Sequence, residues 1–191
     1  NYNKSLALTP DRPIVINPTN HNIIYHGISC LWVSNDGADN WSLYPGFPCD
    51  SGGAVTGVQV GASYKWVSKS YKVYREITTG VWSDVTSNLS LLFTLGATSI
   101  TDIAVNPVNG LEAWVTFAGY IQGVKVFHTS DGGSSWVDWG QNLPNVPVKC
   151  IIYQNGTNGG VYVGTDIGVY YTNNLLPNFV PFKNEIGRAH V

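Results

Sequence analysis

Three features of the sequence predict an all-β fold, and specifically a β-propeller. The 191 residues include 21 Gly, seven Trp and eleven Tyr, residue types that favour strands and turns. No stretch shows a 3.6-residue periodicity over the length of a helix. The third and decisive feature is a fourfold internal repeat, because four short strands in about 45 residues, repeated along the chain, are typical of propeller blades.

Each repeat begins with an apolar strand, and a turn often follows it. These first strands are PIVINP, VTGVQVG, TDIAVNP and VKCIIY, at residues 13–18, 55–61, 101–107 and 148–153. Two further strands rich in β-branched and aromatic residues follow each one, and then a short fourth strand. We therefore expect about four four-stranded antiparallel blades of a larger propeller, over residues 13–45, 55–86, 100–139 and 148–182.

The overall composition excludes several classes of function. The net charge of −2 and the absence of a Lys/Arg cluster argue against nucleic-acid binding, and no apolar run is long enough to span a membrane. His21 and His26 lie five residues apart with no third ligand nearby, so we expect surface or turn residues and no metal or cofactor. Cys30, Cys49 and Cys150 lack metal-ligand spacing, and a Cys30–Cys49 disulfide and free thiols both stay open.

The two ends of the chain predict a piece of a longer protein. The sequence contains no methionine, and its last seven residues, EIGRAHV, match the in-frame translation of a sequencing adapter. We therefore expect residues 1–184 to be a propeller fragment and residues 185–191 to be a non-native tail.

The stretch TSDGGSSW, residues 129–136, lies where the hairpin between the third and fourth strands must turn. Gly132 and Gly133 suit the positive φ angles of such a turn, Asp131 can accept backbone N–H groups, and Trp136 can bury its ring. The stretch resembles the Asp-box, or BNR repeat, whose pattern is Ser/Thr-x-Asp-x-Gly-x-Thr/Ser-Trp. The resemblance implies a structural turn on a propeller blade rather than a catalytic site.

Weaker copies occupy the same place in two other repeats, SNDGADNW at residues 34–41 and TNNLLPNF at residues 172–179, while the second repeat keeps only Trp82. The residues implied to build these turns are Ser34, Asp36, Trp41, Thr129, Asp131, Gly133, Ser135, Trp136, Thr172, Asn174 and Phe179.

Propellers with Asp-boxes include sialidases, xyloglucan-cleaving endoglucanases, sortilin-like receptors and secreted bacterial surface proteins. A sialidase clamps its substrate with three arginines, whereas this chain has only Arg12 and Arg75 outside the tail. A glycosidase needs two carboxylates across the scissile bond, and the candidates on the ligand-binding face are Asp50 and Asp166. Both occur in ordinary turn sequences, so the sequence favours a non-enzyme for this part of the protein.

Four aromatic residues are candidates for the face that carries ligands in such propellers. Tyr44, Phe47, Phe117 and Tyr120 would stack on sugar rings if exposed. The alternative is that they pack one blade against the next, which the sequence favours because propellers bury many aromatic side chains.

Residues 13–182 as a whole resemble propeller modules of large secreted proteins of Bacteroidota-type bacteria, which often end in a type IX secretion sorting domain. The resemblance implies a secreted or cell-surface protein that binds a glycan or protein ligand beside other domains of its parent chain. The leading interpretation is a non-catalytic binding or scaffolding module. The alternatives are part of a xyloglucanase-like glycoside hydrolase and a sortilin-like peptide-binding propeller.

Overall fold

The chain folds into four four-stranded antiparallel sheets. The structure, a computed structural model, describes residues 12–49, 52–61, 63–140, 142–176 and 178–182. In each sheet the strands follow one another in chain order from one edge to the other, as in the blades of a β-propeller. The predicted tail, residues 185–191, lies outside the described residues.

Blade 1 consists of β1 (Ile14–Ile16), β2 (Ile24–Gly27), β3 (Leu31–Ser34) and β4 (Ser42–Leu43). Blade 2 consists of β5 (Val55–Val60), β6 (Lys65–Lys69), β7 (Lys72–Thr78) and β8 (Val81–Asp84). Blade 3 consists of β9 (Ile100–Val105), β10 (Ala113–Phe117), β11 (Val126–Thr129) and β12 (Val137–Asp138). Blade 4 consists of β13 (Val148–Tyr153), β14 (Val161–Thr165), β15 (Gly168–Thr172) and β16 (Val180–Pro181).

Three apolar cores lie between neighbouring blades and join them into one arc. Blades 1 and 2 enclose a core that includes Tyr25 and Val67, blades 2 and 3 one that includes Trp66 and Phe117, and blades 3 and 4 one that includes Trp114. The first strands contact one another in order, β1 with β5, β5 with β9 and β9 with β13, so they form the inner edge of the arc.

One aromatic position recurs on the second strand of every blade. The strand registers place Tyr25, Trp66, Trp114 and Tyr162 at this position, since they pair with Val15, Gln59, Ala104 and Ile152 of the first strands. The first three side chains are buried, each under the following blade. The repeat found in the sequence is therefore a repeat of interblade contacts.

The antiparallel order gives the arc two distinct ends. The turns between strands one and two and between strands three and four share what we call the turn end, where Gly132 N donates to Leu111 O across two such turns. The turns between strands two and three share the opposite end with the blade-to-blade connections. We call this the connection end.

Two features of the connections were not predicted from the sequence. A short 3₁₀ turn (Ser87–Leu89) and the helix α1 (Ser90–Thr94) connect blades 2 and 3, with Leu89 buried in the core between them. Cys30 and Cys49 form a disulfide with their Cα atoms 4.8 Å apart, whereas Cys150 is free and exposed. This disulfide decides between the two possibilities that the sequence left open.

Candidate functional site

The turn TSDGGSSW is held by a compact hydrogen-bond network around Asp131. Its Oδ1 accepts the Thr129 hydroxyl at 2.7 Å and the Ser135 N–H at 3.0 Å, and its Oδ2 accepts the Ser135 hydroxyl at 2.6 Å. These bonds favour the ionised form and hold the pKa of the Asp131 carboxyl well below its usual range. Gly132 and Gly133 have φ angles of 73° and 86°.

The equivalent turn of blade 1 reaches the same geometry with different residues. Asp36 accepts the Ser34 hydroxyl at 2.7 Å and the Asn40 backbone N–H at 2.9 Å. The Asn40 side-chain amide donates at 2.8 Å, in place of the Ser135 hydroxyl of blade 3. The accepted hydrogen bonds, those from Asn40 above all, lower the pKa of Asp36 to about 2.

The turn of blade 4 is built by a residue that the sequence comparison did not single out. Asn173, not Asn174, accepts the N–H groups of Leu175 and Leu176 in the turn, at 2.9 and 3.1 Å. Asn174 instead donates from its side chain to Asn158 in the turn between the first two strands of the same blade. Thr172 is buried at the end of β15.

In blades 3 and 4 the aromatic residue that ends the turn between strands three and four contacts the preceding blade or its connection. Trp136 is 2% exposed, and its indole N–H donates at 2.9 Å to Val85 O, just beyond blade 2. Asn88 holds the Trp136 backbone from both sides, accepting its N–H at 2.9 Å and donating to its carbonyl at 2.8 Å. Asn142 and Phe179 repeat this arrangement between blades 3 and 4. Trp41 in blade 1 is only half-buried.

The two predicted carboxylate candidates are not brought together among the described residues. Asp50 lies outside them. Asp166 is exposed in the turn between β14 and β15, at the connection end, and its Oδ1 lies 3.6 Å from Nζ of Lys149. A salt-bridged, exposed carboxylate of this kind is common on protein surfaces and does not identify an active site by itself.

The four aromatic candidates separate into two groups. Tyr44, Phe47 and Phe117 are buried in the interblade cores, as the packing alternative expects, so they do not offer a free ring to a ligand. The Tyr44 hydroxyl donates to Oε1 of Glu76 at 2.8 Å, and desolvation, with that bond, raises the pKa of Tyr44 to about 12. Tyr120 is exposed in the connection between β10 and β11, at the connection end.

The inner edge of the arc carries a polar cavity of about 670 Å³ at the connection end. The cavity is lined by one residue from an equivalent place on or just before each of the four first strands, namely Arg12, Thr56, Thr101 and Lys149. Asp102 lines it as well and is the carboxylate among its described lining residues. One side chain from each blade therefore faces a shared space, as expected for ligand sites at a propeller axis.

Asp102 is a residue that the sequence analysis missed. Its Oδ1 accepts the N–H of Ile103 at 2.8 Å, and its Oδ2 accepts the N–H of Ile151 in the next blade at 3.1 Å. Burial raises the pKa of Asp102 to about 6, although both accepted bonds oppose this shift. Gly57 makes room for the carboxylate, since a Cβ there would lie 2.8 Å from Oδ1.

Metal ligation finds no support in the part of the chain that the structure describes. No three His, Cys, Asp or Glu side chains come together there in a way that would hold an ion. His21 is exposed, but the expected surface or turn position is wrong for His26, which is buried because it lies within β2 and pairs with β1, with Nδ1 3.2 Å from the Pro13 carbonyl. None of the described helices is long and apolar enough to cross a membrane.

The sequence matches no protein-family model, and it matches no curated protein significantly. Solved structures do match the fold. The GH74 enzyme of Niastella koreensis is 17% identical with a TM-score of 0.64, over 87% of this chain and 30% of that one. The GH74 xyloglucanase of Xanthomonas campestris is 14% identical with a TM-score of 0.63, over 85% of this chain and 28% of that one.

A structure of YCF48 bound to a D1 peptide is also similar, at 14% identity and a TM-score of 0.59, over 90% of this chain and 57% of that one. The chain thus spans less than a third of the GH74 proteins and little more than half of YCF48. At such identities the likeness concerns the fold alone. The chain is an all-β protein whose four described sheets are blades of a β-propeller.

Proposed function

We propose that this chain is a non-catalytic binding or scaffolding module of an exported, multidomain bacterial protein. The observation that carries the proposal is the chemistry of the inner-edge cavity. Its described lining residues include two cations, Arg12 and Lys149, two threonine hydroxyls and a single carboxylate, Asp102. Asp102 already accepts two backbone N–H groups, so both of its oxygens have a structural task. A glycosidase that uses two protein carboxylates needs a second carboxylate that faces the same glycosidic bond as the first.

The faces of the outermost described blades support a larger propeller. Ile14 of β1 and Ile152 of β13 are 62% and 65% exposed. The residues equivalent to them in the interior, Ile103 for Ile14 and Ala104 for Ile152, are fully buried against neighbouring blades. Covering both free faces with further blades would remove these apolar side chains from water.

An exported protein also fits the disulfide between Cys30 and Cys49. Disulfides persist in oxidising surroundings such as the periplasm and the cell surface, and they are rare in the reducing cytosol. The turn networks of Asp36 and Asp131 support the Asp-box resemblance, in which the box is a structural turn rather than a site. Secretion through a type IX system stays a prediction from the resemblance of residues 13–182 to propeller modules of Bacteroidota-type bacteria.

The second candidate function is part of a xyloglucanase-like glycoside hydrolase, and the likeness to GH74 enzymes is the observation that favours it. A peptide-binding propeller of sortilin-like type is the third, and the likeness to peptide-bound YCF48 is its support. In either case the ligand would lie at the connection end, where Asp166 and Tyr120 are exposed.

An assay of xyloglucan hydrolysis separates the first two functions. We expect the chain, and a longer polypeptide that includes it, to release no reducing ends from xyloglucan. Asp39→Asn is the control, because Asp39 is an exposed carboxylate in the blade 1 turn. The non-catalytic role would be overturned by hydrolysis that Asp166→Asn loses and Asp39→Asn keeps. Binding of the same polypeptide to immobilised glycans, without hydrolysis, would support the binding role.

A further inference from the structure

A second cavity, at the turn end between blades 2 and 3, contains an arginine whose Nε–H has no hydrogen-bond partner among the described residues. The cavity has a volume of about 360 Å³, and the Arg75 guanidinium from β7 lies against it. The guanidinium carbon stands 5.8 Å from the centre of the Trp66 ring. The Nε–H is buried without a hydrogen bond, and no described residue forms an ion pair with this side chain. A buried N–H without a hydrogen bond is costly unless a ligand or water completes the site.

Blade 3 shows one way in which this position is completed. Arg75 pairs in register with Trp66, and His128 pairs in the same way with Trp114. In blade 3 the His128 ring has a carboxylate partner, since its Nε2 lies 3.1 Å from Oε1 of Glu112. Glu112 directly precedes the first paired residue of β10, and the residue at that place in blade 2 is Tyr64. Blade 2 therefore has a basic side chain at this place without the carboxylate, and a cavity opens beside it.

The one carboxylate that also lines this cavity is engaged elsewhere. Glu76 accepts the Lys65 ammonium at 2.6 Å through Oε2, and the Tyr44 hydroxyl and the Gly80 N–H, each at 2.8 Å, through Oε1. Its charge is thus balanced by Lys65, and the charge of Arg75 is left uncompensated. The cavity favours an anion on electrostatic grounds.

The other polar groups of the cavity are hydroxyls. Ser63 and Tyr64 line it, and burial raises the pKa of the Tyr64 phenol, so this group stays a proton donor at neutral pH. An adjoining cavity of about 200 Å³ shares both residues and adds the hydroxyls of Thr78 and Thr79. A wall of hydroxyl groups next to one guanidinium suits a ligand that carries both a carboxylate and several hydroxyls. The larger cavity has the size of a small-molecule site.

We propose that this cavity binds a carboxylated sugar, whose carboxylate pairs with Arg75 and whose ring hydroxyls bond to Ser63 and Tyr64. The site goes beyond the binding role proposed above, because it lies at the turn end and not at the inner edge. The ligand carboxylate would take the place that Glu112 has beside His128 in blade 3.

Amide NMR shifts on titration with D-glucuronate, D-glucose and acetate test the proposal on the chain as it stands. We expect glucuronate to shift the amides of Arg75, Gly110 and Leu111, and to bind at least about tenfold more tightly than glucose, which lacks the carboxylate. Equal affinity for glucose and glucuronate would overturn the role of Arg75. Equal affinity for acetate and glucuronate would overturn the assignment of a sugar.

Three variants identify the groups responsible. Arg75→Gln should weaken glucuronate binding at least about tenfold, whereas Lys72→Gln, the same loss of charge on the same strand, should leave it unchanged. Tyr64→Glu should abolish binding, because the new carboxylate would pair with Arg75 as Glu112 pairs with His128. Tyr64→Phe keeps the ring and should weaken binding only several-fold. A folded Tyr64→Glu variant that binds glucuronate with wild-type affinity would refute the site. This result is independent of whether the protein hydrolyses xyloglucan.

Discussion

Trp136→Ala is the substitution that most sharply tests how the blades are joined. The indole ring is 2% exposed, lies in the core between blades 2 and 3, and meets Trp66 edge to face with centroids 6.3 Å apart. A ring of this size removes about 200 Å² from water, which at about 25 cal/mol per Å² corresponds to about 5 kcal/mol. The substitution also leaves the Val85 carbonyl without its donor, at a cost of about 1 kcal/mol.

Partial relaxation of the cavity reduces this sum, and measured Trp→Ala costs in protein cores are about 3–5 kcal/mol. We expect Trp136→Ala to lower the free energy of unfolding by about 4 kcal/mol, or the melting temperature by about 8–16 °C. Urea denaturation followed by circular dichroism measures the first quantity, and thermal melts measure the second.

Trp41→Ala is the matched control, because Trp41 ends the equivalent turn of blade 1 but is only half-buried, with its ring 6.1 Å from that of His26. Its cost should be less than half that of Trp136→Ala. Trp136→Phe should fall between wild type and Trp136→Ala, since it keeps an apolar ring and loses the indole donor. A cost below about 1 kcal/mol for Trp136→Ala would refute interblade stapling by this residue.

Three further predictions concern the acidic residues and the disulfide. Burial raises the pKa of Asp102 in the folded protein from 3.8 to about 6. The protonated carboxyl therefore stabilises the fold by about 1–3 kcal/mol below pH 4, and this contribution is lost as the pH rises through 6. Unfolding titrations of Asp102→Asn should lack that pH dependence, and an unchanged profile would contradict the assignment. Replacing Cys30 and Cys49 by serine should lower the free energy of unfolding by about 3 kcal/mol in the same urea assay, because their disulfide closes a loop with a sequence separation of 19. An unchanged free energy of unfolding would argue against the disulfide in solution. Asp131→Ala should lower the melting temperature by less than Trp136→Ala and by more than Asp39→Ala. A melting temperature equal to that of the wild type would contradict a stabilising role of Asp131 in the turn.

The repeat is what made the fold predictable from the sequence. Alternating apolar strands and glycine-rich turns recur at nearly constant spacing along the chain. The recurring aromatic of the second strand was recognised only from the strand registers. The α1 helix was not predicted because its five residues are too few to show a period, and its position depends on the core beneath Leu89.

The candidate sites were harder to predict because they depend on differences between repeats. Asp102 is notable only once Gly57 in the neighbouring blade and Ile151 beyond it are known to surround its carboxylate. The surroundings of Arg75 differ from those of His128 because Tyr64 stands where blade 3 has Glu112, two residues before the tryptophan that pairs with each of them. A blade-by-blade alignment of the second strands would have exposed this exchange.

Recovering the full reading frame from the source DNA tests the central claim most directly. We predict further four-stranded repeats of about 45 residues, each with an aromatic residue at the position of Trp66 and Trp114, that continue one propeller. A second propeller facing the first, with an acidic residue on the connection end of each, would contradict the non-catalytic role. It would instead place this chain in a glycoside hydrolase.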